Sequence, residues 1–197
     1  NSKIFNSNIN TWDVSSVETM KTMFKEADNF NQNLNSWLTS NVETMEEMFS
    51  GADNFDSNIS SWDVAKVTNM SGMFGGTSFN QDISSWNVGK VNNMSAMFGG
   101  SSFNQELNAW NVSNVTDMSN MFGSSNFNKE IDSWDVSKVI NMHHMFANSV
   151  FNQDLSSWDV GNVTNMSSMF QSASSFNQDI SSWNVSNVTN MDFMFSF

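Results

Sequence analysis

Very few side chains in this sequence could do chemistry. His143 and His144 are adjacent and are the only two histidines. A metal site would need two or three further converging ligands, so the pair reads as surface variation. There is no Cys, which removes thiolate nucleophiles, thiolate metal sites and disulfides together. Serines are plentiful, but no Gly-x-Ser-x-Gly element is present, and Gly99-Gly100 lacks the following Lys-Ser/Thr of a phosphate loop. The chemistry that remains belongs to carboxylates and amides. Asp13, Asp63, Asn87, Asn111, Asp135, Asp159 and Asn184 recur at one point of a repeated pattern. A second acidic column is Asp82, Glu106, Glu130, Asp154 and Asp179. Oxygen ligands of this kind suit calcium, yet no Asp-x-Asp-x-Asp-Gly loop occurs. We therefore expect no catalytic residue, no dedicated metal site and no cofactor, with calcium the one cation the columns could attract.

These columns exist because the chain repeats. With each Phe-Asn (Phe-Asp once) as origin, frames start at Phe5, Phe30, Phe55, Phe79, Phe103, Phe127, Phe151 and Phe176. All eight Trp lie seven residues later, from Trp12 to Trp183, and all sixteen Met fall at two fixed offsets. Sixteen of the eighteen Phe are in register; Phe193 and Phe197 are the extras. Frames are 24 or 25 residues long, and the extra residue follows the Met-Phe pair, where a surface loop can absorb it. Residues 1–197 thus read as one array, a signature that outranks any local motif.

Within a frame, Trp86-x-Val88 has the period of a strand, with both side chains on one face. Val91, Met94, Met97 and Phe98 recur at three, six and seven, a helical or 3₁₀ spacing. The expected fold is a repeat solenoid, leucine-rich-repeat-like, of eight 24–25-residue rungs, each with a short parallel strand and a helical or 3₁₀ turn. Trp, Met and Phe fill its core. The Asn column from Asn6 to Asn177, broken by Asp56, forms an internal ladder to backbone, with Asp56 straining its rung because it cannot donate. The residues between Trp and Val point outward. They make a flat face of small residues around the central Asp/Asn column: the seven candidate binding residues named above.

The string FNQDISSW-V-VTNM--MF resembles the BspA-like leucine-rich-repeat surface proteins. Within that group it is most similar to the bacterial surface protein 26-residue repeat branch, found in mycoplasma-type lipoproteins. The resemblance runs from Phe5 to Phe195. It implies an extracellular, cell-surface or secreted location, an interaction or adhesion role, and no enzyme activity.

Charge and composition narrow the partners. The net charge is −13 and all seven basic residues are Lys, so neither nucleic-acid phosphates nor anionic lipid find a counter-charge. No apolar run is long enough to span a membrane. The expected function is a non-enzymatic surface repeat protein presenting a regular, polar, acidic face to a protein or cell-surface partner. Two alternatives are a head-to-tail structural filament and a calcium- or ice-binding solenoid. Ordered Thr-x-Thr columns, which ice binding would favour, are absent from the outer face. No polar cap is legible at either end: Asn1 to Ile4 resemble the tail of a frame, and the sequence stops at MDFMFSF. Two expectations follow: residues 1–197 are part of a longer array, the favoured reading, or the ends meet those of other copies in end-to-end self-association.

Overall fold

A computed structural model describes residues 3–197; Asn1 and Ser2 of the Asn1–Ile4 segment lie outside it. Successive repeats lie against one another in register. Seven parallel bridges, each one residue long, connect Thr19, Thr44, Asn69, Asn93, Asp117, Asn141, Asn165 and Asn190 in order.

The expected strand-and-helix rung is not what forms. Among the described residues there is no α-helix, no 3₁₀ segment and no strand longer than a single bridge. The leucine-rich-repeat-like solenoid architecture is therefore overturned, and its two halves were also assigned the wrong way round. The pairing residue Asn93 lies in the stretch whose spacing looked helical. Trp86 and Val88 alternate inward with exposed Asn87 between them, as a strand would. Their backbone instead forms two turns, Trp86 N–H to Ile83 C=O at 3.1 Å and Val91 N–H to Val88 C=O at 2.9 Å.

The hydrogen bonds of one repeat explain the exchange. The N–H groups of Met94, Ala96, Phe98 and Gly100 donate forward to the carbonyls of Asp117, Ser119, Met121 and Gly123 at 2.7–3.0 Å. Those of Met97, Gly99 and Ser101 close turns on Met94, Ala96 and Phe98 at 3.1–3.2 Å. An α-helix sends every N–H to the carbonyl four residues back; here every second one leaves the repeat. Ala96 (φ 52°) and Gly100 (φ 67°) are left-handed and stand third in their turns, where a type II turn requires positive φ. The same two positions are left-handed in neighbouring repeats, as Gly72 and Gly76, Asn120 and Ser124, and His144 and Asn148. A non-glycine residue there costs roughly 1–2 kcal/mol; the flanking forward bonds hold it in place. A run of such turns returns a side chain to the interior every third residue, so it mimics helical spacing.

The core is continuous from Ile9 to Met194. Phe24, Phe49, Phe74, Phe98, Phe122, Phe146, Phe170 and Phe195 form one stacked column, with centroids 5.4–5.9 Å apart and planes within 11°. A second column starts at Phe5 and packs against the first at 3.7–4.2 Å. The indole N–H groups of Trp37, Trp62, Trp110, Trp134, Trp158 and Trp183 each donate to a carbonyl of the preceding repeat at 3.0–3.2 Å. Trp86 is the exception: its buried Nε1 has no partner.

The junction between frames combines one buried residue with a surface segment, and the added residue of the long frames lies at the surface, where Asn29, Asp53, Asn54, Ser174 and Ser175 are exposed. In the 24-residue frames Thr77, Ser101, Ser125 and Ser149 are buried. Each hydroxyl donates to the preceding Phe carbonyl at 2.7–2.8 Å and accepts the next Phe N–H at 3.3–3.4 Å. In three 25-residue frames Ala27, Ala52 and Ala173 occupy that point, and the added residue lets Phe30, Phe55 and Phe176 N–H reach the alanine carbonyl at 2.8–3.0 Å. A hydroxyl substitutes for one residue of backbone.

Candidate functional site

The seven candidate binding residues lie one to a repeat, and all are exposed. Each uses Oδ1 to accept the N–H two residues on: Asp13 from Ser15, Asp63 from Ala65, Asn87 from Gly89, Asn111 from Ser113, Asp135 from Ser137, Asp159 from Gly161 and Asn184 from Ser186, at 3.0–3.2 Å. These are Asx turns, a local bond that Asp and Asn form readily and that fixes the chain reversal after Trp-x-Val. The second frame departs from the pattern, with exposed Leu38 at this point.

The second acidic column behaves the same way where it holds Asp. Asp82, Asp154 and Asp179 accept from Ser84, Ser156 and Ser181 N–H at 2.8–2.9 Å. Glu106, one methylene longer, pairs instead with Lys129 at 3.1 Å. The carboxyls of Asp82, Asp154 and Asp179 are held below the ordinary range, first by the serine N–H and then by its hydroxyl. Asp13 and Asp135 are lowered first by the hydroxyl of Ser15 or Ser137 and then by its N–H. Carboxylates held ionised in this way serve poorly as general acids near neutrality.

A third column escapes a search for reactive residues. Asn69, Asn93, Asp117, Asn141, Asn165 and Asn190, the bridge residues, cap the N–H two residues on at 2.8–3.1 Å. The signal for it was present as Asx-x-Ser triplets before four of the eight Met-Phe pairs. The Asn ladder also exists. The Oδ1 atoms of Asn6, Asn31, Asp56, Asn80, Asn104, Asn128 and Asn152 each accept the N–H of the same position one repeat on, at 2.8–3.0 Å. Only the acceptor is needed, so Asp56 fills its place without the strain expected of it.

The two histidines stack on each other, with centroids 3.9 Å apart. His143 Nδ1 lies 2.7 Å from Ser167 Oγ and 3.0 Å from its carbonyl oxygen. Burial, then the neighbouring His143, pushes the His144 imidazole below its ordinary pKa. Among the described residues, no three or more His, Asp or Glu side chains converge where a metal ion could be held, and no helix is long and apolar enough to cross a membrane.

Four overlapping stretches, 1–77, 34–126, 54–150 and 99–197, match the family model described as Mycoplasma protein of unknown function, DUF285. The chain belongs to the DUF285 family. Matches ending at 77, 126 and 150 stop within two residues of the next frame at Phe79, Phe127 and Phe151, while those starting at 34 and 99 begin four residues from Phe30 and Phe103. No curated protein and no solved structure matches the chain. Two hollows of this DUF285 chain lie at its first repeat. One is lined by Phe5, Trp12, Met23, Phe24 and Ala27 and another by Trp12, Val14, Val17, Met20 and Met23. Both are the open side of the core, where Trp12 is 53% exposed.

Proposed function

We propose that this DUF285 chain is a non-enzymatic repeat protein of the cell surface that presents its regular acidic face to a protein partner. One observation carries the reading. The polar side chains that recur in every repeat are engaged with backbone, as Asx turns or as the Asn ladder, which leaves no free cluster for catalysis and fixes an exposed Asx residue in nearly every repeat. Rigid, evenly spaced polar groups suit protein recognition because little side-chain entropy is lost on binding. The net charge of −13 favours a basic partner surface and fast, salt-dependent encounter. The extracellular location and the placement in the BspA-like branch rest on the resemblance of the FNQDISSW-V-VTNM--MF string.

The test is binding of the fluorescently labelled chain to intact cells, compared with a variant carrying Asp13→Asn, Asp63→Asn, Asp135→Asn and Asp159→Asn. Asn keeps the Oδ1 acceptor, so the turns survive while four charges are lost. The expected result is weaker binding with a shallower salt dependence. Equal binding by the two proteins, or a hydrolase activity abolished by a single substitution, would overturn the proposal.

A further inference from the structure

All seven basic residues are Lys, and the structure sorts them into two groups. Lys3, Lys21, Lys25 and Lys129 pair with the carboxylates of Asp28, Glu46, Glu47 and Glu106 at 2.7–3.1 Å. Lys66, Lys90 and Lys138 pair with no carboxylate among the described residues, and all three fall at one position of the repeat, two residues past the Val of Trp-x-Val. All three are exposed. In four other repeats Asn41, Asn114, Asn162 and Asn187 hold that position, and each gives Nδ2 to a carbonyl of the preceding repeat at 2.6–2.8 Å. Lys66 and Lys138 donate Nζ to the Oδ1 of Asn41 and Asn114, one repeat back, at 2.7 Å. Lys90 has no partner among the described residues. The column is thus an amide strip, anchored to backbone, that carries three positive charges.

The flanking positions leave those charges open. Two residues further along the chain, Glu18 and Glu43 give way to Thr68, Asn92, Thr116, Ile140, Thr164 and Thr189, so carboxylates stop there just before Lys66. Glu43 lines a polar hollow together with Lys66 and Asn41, yet it forms no ion pair with Lys66. The hydroxyls of Thr68, Thr116, Thr164 and Thr189 are spent on carbonyls of the preceding repeat at 3.1–3.3 Å. On the other side, Asp63 and Asp135 stand three residues before Lys66 and Lys138, and each commits Oδ1 to its own turn. Asn87 takes that place before Lys90.

Bridged chains lie about 4.8 Å apart, so Lys90 stands about 5 Å along the stack from Lys66 and about 10 Å from Lys138. An extended polypeptide sets the side chains of one face about 7 Å apart, and the flexible lysine stem absorbs the difference. We infer that this edge docks an extended acidic segment of a partner protein, laid along the stack with its carboxylates against Lys66, Lys90 and Lys138. Charge complementarity carries the choice of partner: these are the lysines the chain does not neutralise itself. A denser polyanion, such as a phosphate polymer, would meet the repulsion of a net charge of −13 that three lysines do not offset. Spaced carboxylates meet amide and Thr side chains between the lysines instead. This goes beyond the acidic-face proposal, since it takes the opposite charge at a different position of the repeat.

Fluorescence anisotropy of a labelled (Glu-Ser)6 peptide, titrated with the chain at low ionic strength, tests it. Binding should be measurable, should weaken as salt is added, and should be absent with (Gln-Ser)6. Lys66→Gln, Lys90→Gln and Lys138→Gln together should weaken it about tenfold. Lys3→Gln, Lys21→Gln and Lys129→Gln together give the same net charge by removing paired lysines, and should change it by less than about twofold. Circular dichroism and melting of each variant report whether the stack is intact. No binding of (Glu-Ser)6, an equal loss in both triple variants, or tighter binding of inorganic polyphosphate than of the peptide would overturn the inference. The variant with Asp13, Asp63, Asp135 and Asp159 replaced by Asn should bind (Glu-Ser)6 at least as tightly, so failure of the acidic-face proposal leaves this result untouched.

Discussion

Replacing Trp by Phe in two neighbouring parts of the stack should give very different losses of stability. Trp134 is buried and its Nε1–H donates to Leu107 C=O at 3.0 Å. That carbonyl also accepts the Trp110 N–H at 2.9 Å, so Trp134→Phe leaves no orphaned acceptor and loses one ordinary bond, about 1 kcal/mol. Trp86 is equally enclosed, at 4% exposure, but its Nε1 has no partner. Trp86→Phe removes a buried, unsatisfied donor whose burial costs about 1–3 kcal/mol. Both substitutions shrink one ring within the same packing, so the cavity term is shared and largely cancels in the comparison. Trp134→Phe should therefore be the more damaging by about 2–4 kcal/mol, the sum of the lost bond and the relieved donor. Urea unfolding followed by far-ultraviolet circular dichroism measures this as a difference in midpoint at constant slope. Equal midpoints, or a larger loss at Trp86, would refute the indole ladder as an energetic feature of this fold.

Ser101→Ala should cost about 1–3 kcal/mol by thermal melting, because the buried Phe103 N–H loses the hydroxyl that accepts it. Acid should destabilise the chain in two steps. His144 is depressed when folded, so its contribution is complete above its ordinary pKa near 6.5 and is lost as the pH falls below that. The capped carboxylates Asp13, Asp82, Asp135, Asp154 and Asp179 are also depressed, and their contribution is lost as the pH falls from about 4 through the folded values. His144→Asn, which places the residue found at Asn120, should flatten the upper step only. Melting temperatures in millimolar calcium and in chelator should coincide, because no three acidic or imidazole groups converge among the described residues; a rise with calcium would show a site formed by the acidic columns.

The register of this fold was legible, and its backbone was not. Every Trp from Trp37 to Trp183 is buried, and so are the interior Met and Phe columns. Only side-chain identity at fixed offsets was needed to see that. The backbone was misread because spacing reports which way side chains face, not which hydrogen bonds turn them. Val91, Met94 and Met97 face inward at three-residue intervals, yet only the step from Met94 to Met97 closes a turn, while the step from Val91 to Met94 passes through the bridge at Asn93. Trp86 and Val88 face inward at a two-residue interval without pairing to any neighbouring repeat. The left-handed positions of the repeat hold glycine at Gly72, Gly76 and Gly100 but Thr, Glu, His and Asn at Thr22, Glu26, His144 and Asn148, so glycine alone could not mark them.

The candidate site shows the same division between placement and role. That Asp13, Asp63, Asn87, Asn111, Asp135, Asp159 and Asn184 face outward could be read from alternation with Trp and Val, and all seven are exposed. That each uses an oxygen to hold its own turn could be read only from the residue two places on, an N–H that every non-proline residue carries. With no helix and no strand longer than a single bridge among the described residues, much of the backbone must be satisfied by side chains. Three Asx columns, one Asn ladder and the buried Ser/Thr junctions meet that demand. The absence of Pro is consistent with it, because so many N–H groups are donors to turns or neighbouring repeats. The abundance of Asn, Asp and Ser is therefore first a property of the scaffold. What the scaffold leaves over is the outward oxygen or nitrogen of each capped residue, which its turn holds at the surface without using it.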